Sequence, residues 1–454
     1  MNQLLVGLDV GTTSVKAVVF GTDGREVSAG RVVTPWTPAP YGVEMDATTL
    51  VSAAVDALNS ALTDAPKANV LAVGVTSMGE SGVLLDSRGV PVAPVIAWHD
   101  TRDETEVGDL KTAIGADRFA QRTGLPLRGQ WSLTKHRWLL SHYPEAKAAV
   151  RRLNIAEWII RSLGGEESAE QSLASRTGWL ELDSRQWWTE SLEWSGAKAS
   201  LMPELITGGT PVGRLTHAGS LRCLRGAVLT AAGHDHQAAT IGTGTCGSAD
   251  ELDSCGTAEA VVRTIPSGLV APAAIAALAA AGITTGWHVL ADHWCLLGGT
   301  QGGLVLQRVL ELLGRTSEDV SELDGDALVR DPRSLVVAGV NEDVLSVSGI
   351  RTGACPSDLW RATLEAVTAE AAAVHAAVST VAGPHQRLVI TGGWSHSSGL
   401  MEVKRRVLGP LRIAPVNEAG ARGAALLGGL AGGVYASTQE FPALEFDEQS
   451  ERTL

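Results

Sequence analysis

Cysteine is scarce in this sequence: Cys223, Cys246, Cys255, Cys295 and Cys355 are five among 454 residues, odd in number and never spaced Cys-x-x-Cys. That argues against a disulfide framework and a zinc ribbon, and predicts a reducing cytoplasm. Basic runs are missing too. Lys and Arg number 36 against 50 Asp and Glu, a net charge of −14, so no stretch can track a phosphate backbone or an anionic bilayer. Neither nucleic acid nor a membrane is expected as a partner. The most apolar stretch, GLVAPAAIAALAAAGI at 268–283, is rich in Ala, contains Pro272 and falls short of the ~20 strongly apolar residues of a membrane span. Packed interior is the expectation for it. No basic-then-apolar leader precedes the first strand pattern, which predicts the absence of a secretory signal. The Gly-rich GGTQGG at 298–303 lacks the lysine and spacing of a P-loop, leaving phosphate binding there open beside plain helix–strand packing.

What is present starts with LLVGLDV, then Gly-Thr-Thr, then VKAVVF. The turn GTDG and the run REVSAGRVV complete a predicted β-meander. TTLVSAAVDALNSALTDA has helical spacing and follows Asp46, a suitable N-cap, and VLAVGVTSM reads as another strand. The segment from about 110 to 225 is Trp-rich and predicted helical, with KHRWLLSHYPEAKAAVRRL and AEWIIRSLGG its clearest helices. An apolar strand then runs into GHDHQ, and DSCGTAEAVV at 253–262 repeats the opening order of Asp, spacer, Gly-Thr and β run. A long helix from about Ser357 to Thr380 leads to RLVI and TGGWSHSSGL. At this length, two lobes of related design joined near 230 are expected.

A lone Asp inside an apolar run is costly unless something pairs with it. Backbone N–H groups and threonine hydroxyls at a Gly-Thr turn form a nest suited to phosphate oxygens, and a carboxylate beside phosphates needs Mg2+ between them. Asp9 is therefore read as facing a metal; the alternative is that it accepts hydrogen bonds from its own turn. Asp235 follows the strand AVLTAAG and so is expected at a strand end, the alternative being a cap for a helix starting at about Gln237.

DVGTTSVK, GVTSMGESGVLLD, AWHDTR, AAGHDHQAA, DSCGTAEA and ITGGWSHSSGLMEVKRRVLG occur in one order. In that order the chain resembles the FGGY carbohydrate kinases, from residue 4 to about 433, with weaker landmarks in LTKHRWLLSHYPE, RSLGGEESAEQSLASRTGWLELDSRQW and AGARGAALLGGLAGG. The resemblance implies an α/β chain with two actin-like (ribonuclease H-like) lobes flanking a central cleft. Residues 1–232 would form the sugar-side lobe with the first phosphate turn, 233–437 the ATP-side lobe, and 438–454 a C-terminal tail. It implies ATP and Mg2+ as cofactors, Asp9 on the metal, Gly11, Thr12 and Thr13 as the first phosphate turn, and Gly256 and Thr257 as the second. Gly392 and Gly393 would contact the adenosine. Asp235 would be the catalytic carboxylate, and Glu80 and Trp98 would contact a small-molecule sugar with it. Asp100 and Arg102 would pair as support.

The implied activity is phosphorylation of a ketopentose, ketohexose, polyol or sugar acid, xylulokinase-like first, with a homodimer compatible. Departures weaken the substrate assignment. Xylulokinase-like relatives carry Met-His-Gly where this chain has Gly79-Glu80-Ser81, glycerol kinases carry an Arg before the Glu, and His136 replaces an aliphatic residue. The rival readings are an actin-like ATPase that moves a partner and a degenerate kinase that senses sugar or nucleotide. The first has no need of the sugar-facing set Asp235, Glu80 and Trp98; against the second, neither aspartate and neither Gly-Thr turn is lost.

Overall fold

The computed structural model describes residues 3–63, 65, 69–217, 219–331 and 335–446. Its apolar runs build two six-stranded sheets on one plan. In the first, β1 (Gln3–Val10), β2 (Ser14–Gly21) and β3 (Glu26–Val33) form an antiparallel meander, β1 runs parallel to β4 (Asn69–Ser77), and β4 runs parallel to β6 (Val228–His234). An edge strand, β5 (Pro211–Arg214), is antiparallel to β6. In the second, β7 (Asp250–Cys255), β8 (Glu259–Pro266) and β10 (His293–Thr300) form the meander, with β9 (Thr284–Trp287) on its edge. β7 is parallel to β11 (Arg387–Thr391), which is parallel to β12 (Leu411–Ile413). The echo of the opening in DSCGTAEAVV is thus a repeated hairpin, β1–β2 and β7–β8, each with a Gly-Thr turn. All of β1 but its first residue is buried, as a strand covered on both faces must be.

The helices used below are α1 (Ala47–Thr63), α2 (Ser132–His142), α3 (Ile155–Ser162), α4 (Asp235–Thr243), α5 (Pro272–Ala280), α6 (Gly302–Leu312), α7 (Pro356–Ala382), α8 (Ser398–Leu408) and α9 (Ala419–Ala431). α1 starts as expected: Asp46 Oδ1 accepts the N–H groups of Thr48 at 2.8 Å and Thr49 at 2.9 Å. Two expectations need correction. KHRWLLSHYPEAKAAVRRL is not one helix; α2 stops at His142, because Tyr143 precedes Pro144 and is extended (φ −121°, ψ 95°), a conformation the proline imposes. Arg151–Asn154 then pairs as a strand with Gly82–Leu85. Nor is 268–283 packed interior. Pro272 sits in the first turn of α5, which buries Ile275, Leu278 and Ala279 and leaves its other alanines partly or fully exposed. Among the described residues no helix is long and apolar enough to cross a membrane, and all five cysteines are free.

The small residues of α9 serve close packing. A Cβ at Gly7 or Gly74 would lie 1.8 Å from the carbonyl oxygens of Ala421 and Ala424, and one at Gly423 would lie 1.8 Å from that of Ala238. So α9, although it follows the second sheet in sequence, lies across β1 and β4 and against α4. The expected tail is described only as far as 446, where Arg422 Nη2 donates to the Pro442 carbonyl at 2.6 Å; the rest lies outside the described residues.

Candidate active site

β1 delivers Asp9 to the edge of the first turn. Its Oδ1 is buried without a hydrogen-bond partner, so its own turn does not satisfy it. Lys16 is opposite on β2, but its Nζ is bound to Glu418 at 2.7 Å, and Arg31 reaches the same carboxylate at 2.8 Å. Burial pushes the Asp9 carboxyl up to about 7; Lys16 opposes this, while Asp235 and Glu418 add to it. A buried carboxylate facing another acid and short of donors fits a divalent cation.

The turn behind it is braced from the lobe. Thr34 Oγ1 donates to the Gly11 carbonyl at 2.7 Å and Trp36 Nε1 to the Thr12 carbonyl at 2.8 Å. Trp98 Nε1 donates to Thr12 Oγ1 at 2.8 Å, so a residue expected on the sugar side holds the first Gly-Thr turn. Thr13 is exposed. Neither Gly11 nor Gly256 takes a positive φ.

Asp235 is the first residue of α4, directly after β6, so that helix begins two residues earlier than expected, with His234 at the N-cap. The carboxylate does not cap the following turn. Its Oδ1 accepts the adjacent His236 N–H at 2.7 Å and lies 3.5 Å from His234 Nδ1, with the side chain 25 % exposed. Burial pushes its pKa up, but His236, His234 and the His236 N–H outweigh burial and hold it below the ordinary carboxylate value. Asp235 is ionised at neutral pH. His234 is buried and its pKa pushed down to about 3, chiefly by burial, so it stays neutral beside the acid. The Asp9 carboxylate and the Asp235 backbone both approach the start of α9, where a Cβ on Gly420 would lie 3.0 Å from Asp9 Oδ2 and 3.6 Å from the Asp235 carbonyl oxygen, and the charge of Asp235 acts on Asp9.

Glu80 follows β4 and takes φ +62°, a strained conformation for a residue with a side chain. Ser132 Oγ at 2.5 Å and Arg152 Nη2 at 3.4 Å donate to its carbonyl and hold it there. Its Oε1 accepts Arg176 Nε at 2.7 Å and Gln130 Nε2 at 3.0 Å. Arg176 reaches further, donating from Nη1 to Thr284 Oγ1 on β9 at 2.8 Å. It therefore ties Glu80 to the second sheet. Asp100 and Arg102 pair as expected, at 2.9 Å, with Glu44 joining at 2.8 Å. His136 is buried against Trp179 with neither ring nitrogen bonded.

At the second turn three glycine-rich segments converge. Gly392 takes φ +90°, and a Cβ on it would lie 2.4 Å from the Cys255 carbonyl oxygen; Gly303, in the first turn of α6, would meet the Gly256 oxygen at 2.0 Å. Gly392 is thus needed for packing, whereas Gly393 faces open space. GGTQGG, ambiguous in sequence, brings the N-terminus of α6 onto the turn, with the Gln301 N–H donating to Asn341 Oδ1 at 3.0 Å and the Gly302 N–H to Thr300 Oγ1 at 3.1 Å. Behind the turn Lys404 of α8 bonds both Asp253, at 2.5 Å, and Glu259, clipping together the strands that flank it. Lys404 and Arg176 were not singled out from sequence: Lys404 lies 151 positions from Asp253, and no local spacing marks such a pair.

Residues 4–242 match the model for the N-terminal domain of the FGGY family of carbohydrate kinases. The chain belongs to that family. It is 30% identical over 478 residues to a glycerol kinase of Acidovorax ebreus (strain TPSY), covering 97% of this chain and 93% of that one. It is 29% identical over 479 residues to a xylulose kinase of Streptomyces coelicolor, covering 99% and 94%. Among solved structures, a gluconate kinase from Lactobacillus acidophilus superposes with a TM-score of 0.88 at 19% identity, covering 99% of this chain and 93% of that one. As in other FGGY kinases, two actin-like lobes flank a central cleft, and the enzyme is an ATP-dependent carbohydrate kinase.

Proposed function

We propose that this kinase transfers the γ-phosphoryl group of ATP to a hydroxyl of a small polyhydroxy acceptor, with Asp235 as the base. The observation that carries the reading is the placement of Asp235 directly after β6, near enough to Asp9 near the end of β1 for its charge to act on that buried, unpartnered carboxylate. As the acceptor oxygen bonds to the γ-phosphorus, Asp235 takes its proton; the bond from phosphorus to the β,γ-bridging oxygen breaks and ADP leaves. Glu80 and Trp98 would orient the acceptor. The Gly11-Thr12-Thr13 and Gly256-Thr257 turns would hold phosphate oxygens, with the adenosine beside Gly392 and Gly393. Asp9 would hold Mg2+, which supplies charge neutralisation at the phosphates. A xylulose-type acceptor stays within this reading. The strained, doubly anchored Glu80 speaks against an ATPase that only moves a partner, which has no use for a polyol-binding carboxylate.

Asp235→Asn should keep ATP affinity while acceptor-dependent ADP release falls at least about a hundredfold, and Asp9→Ala should weaken Mg·ATP binding as well as turnover. Wild-type rates in Asp235→Asn, or no acceptor-dependent ADP release from wild type across ketoses, aldonates and polyols, would overturn the reading.

A further inference from the structure

Arg128 is a cation with no counter-ion at the acceptor side of the cleft. It lies two residues before Gln130, whose amide bonds Glu80. Its guanidinium stands 5.4 Å over the ring of Trp131, and that of Arg176 stands 5.1 Å over the same ring. Glu80 is the carboxylate within electrostatic reach of both arginines, and Arg176 already holds it at 2.5 Å. Among the described residues, Arg128 donates no side-chain hydrogen bond and forms no ion pair; Arg176 repels it. Trp131 itself is fully buried, its Nε1 tied to the Pro126 carbonyl at 2.6 Å, so the platform beneath the exposed Arg128 is rigid. Two guanidinium groups on one ring, sharing one acid, leave an excess of positive charge beside Glu80. Cation–π contact alone is worth little at an exposed site, whereas a planar fork of donors matches a carboxylate well.

We infer that the acceptor is a sugar acid whose carboxylate is bound by Arg128, with Glu80 and Asp235 left for the hydroxyls. This rests on the kinase reading above and narrows its substrate class to aldonate-type polyhydroxy acids. The acceptor's carboxylate keeps its charge throughout, and phosphoryl transfer proceeds at a hydroxyl as already written.

The test uses the full-length enzyme with ATP and matched pairs that differ only at C1: xylonate against xylitol, and gluconate against glucitol. An acid should exceed its alditol in kcat/KM by roughly ten- to a hundredfold, the range of one charge-assisted hydrogen bond. Arg128→Ala should erase that preference mainly through KM, leave the alditol rates unchanged, and be partly rescued by Arg128→Lys; because Arg128 is exposed, the variant should fold. A wild-type enzyme that prefers the alditols or a neutral ketose overturns the inference and leaves the kinase reading standing, as does an Arg128→Ala variant that loses acid and alditol activity alike. Absence of ADP release with every acceptor overturns both.

Discussion

Asp9 and Asp253 occupy corresponding strands of the two repeated hairpins, yet their surroundings differ. Asp9 has a buried oxygen with no partner, the condition that makes it available to a cation. Asp253 is bound by Lys404 at 2.5 Å and has His375 Nε2 at 3.7 Å, while His375 Nδ1 bonds Glu251 and Arg263 holds the other side of Glu251 at 2.8 Å. Three acids, Glu251, Asp253 and Glu259, are thus balanced by Lys404, Arg263 and a protonated His375. Burial pulls the imidazole pKa down, but the bonds and charges of Asp253 and Glu251 win and raise it from 6.5 to about 9. A raised histidine contributes stability fully below its unfolded value and loses it as pH climbs through the folded one. The urea midpoint of the wild type should therefore fall between pH 7 and 9.5 more steeply than that of His375→Gln. Parallel pH profiles for the two proteins would show that the proton on His375 contributes nothing.

At the scale of elements, the contact of α9 with β1, β4 and α4 depends on backbone approaching backbone. Gly423→Ala would place a methyl 1.8 Å from the Ala238 carbonyl oxygen in a fully packed seam. A loss of about 2–3 kcal/mol is expected, the scale of overpacking a core, measured by urea or thermal unfolding. Gly108 is the control: it lies within the helix Glu104–Ala113, is exposed, and a Cβ there would meet nothing within 4 Å. Gly108→Ala should stabilise by roughly 0.5–1 kcal/mol through helix propensity and the unfolded chain. Equal effects at the two positions would refute the close-packing account of α9. The run of small residues was visible in AGARGAALLGGLAGG; the sheet it lies across was not, because β1 precedes it by more than 400 positions.

For the whole molecule, the two Gly-Thr turns belong to different sheets, and α4 and α9, which pack on each other and on the first sheet, also place Ala239 and Ala419 against Leu252 and Val262 of the second. Water must be kept from the γ-phosphate, or hydrolysis would compete with transfer. Saturating ATP analogue with the best acceptor should therefore reduce the radius of gyration measured by small-angle scattering; an unchanged value would argue against closure. The sequence by itself determined the repeated strand–turn–strand units, the N-cap at Asp46 and the positions of Asp9, Glu80, Trp98 and Asp235, because each is written in a few adjacent residues: a β run, a turn, a polar residue at its end. Tertiary structure alone decided that Lys16 is drawn to Glu418 and leaves Asp9 unpartnered, that Arg176 joins Glu80 to Thr284, and that Lys404 clips the second turn. The physical reason is common to all three: a long cation takes whichever buried acid the packing of distant elements brings within about 3 Å, and no local pattern encodes that choice.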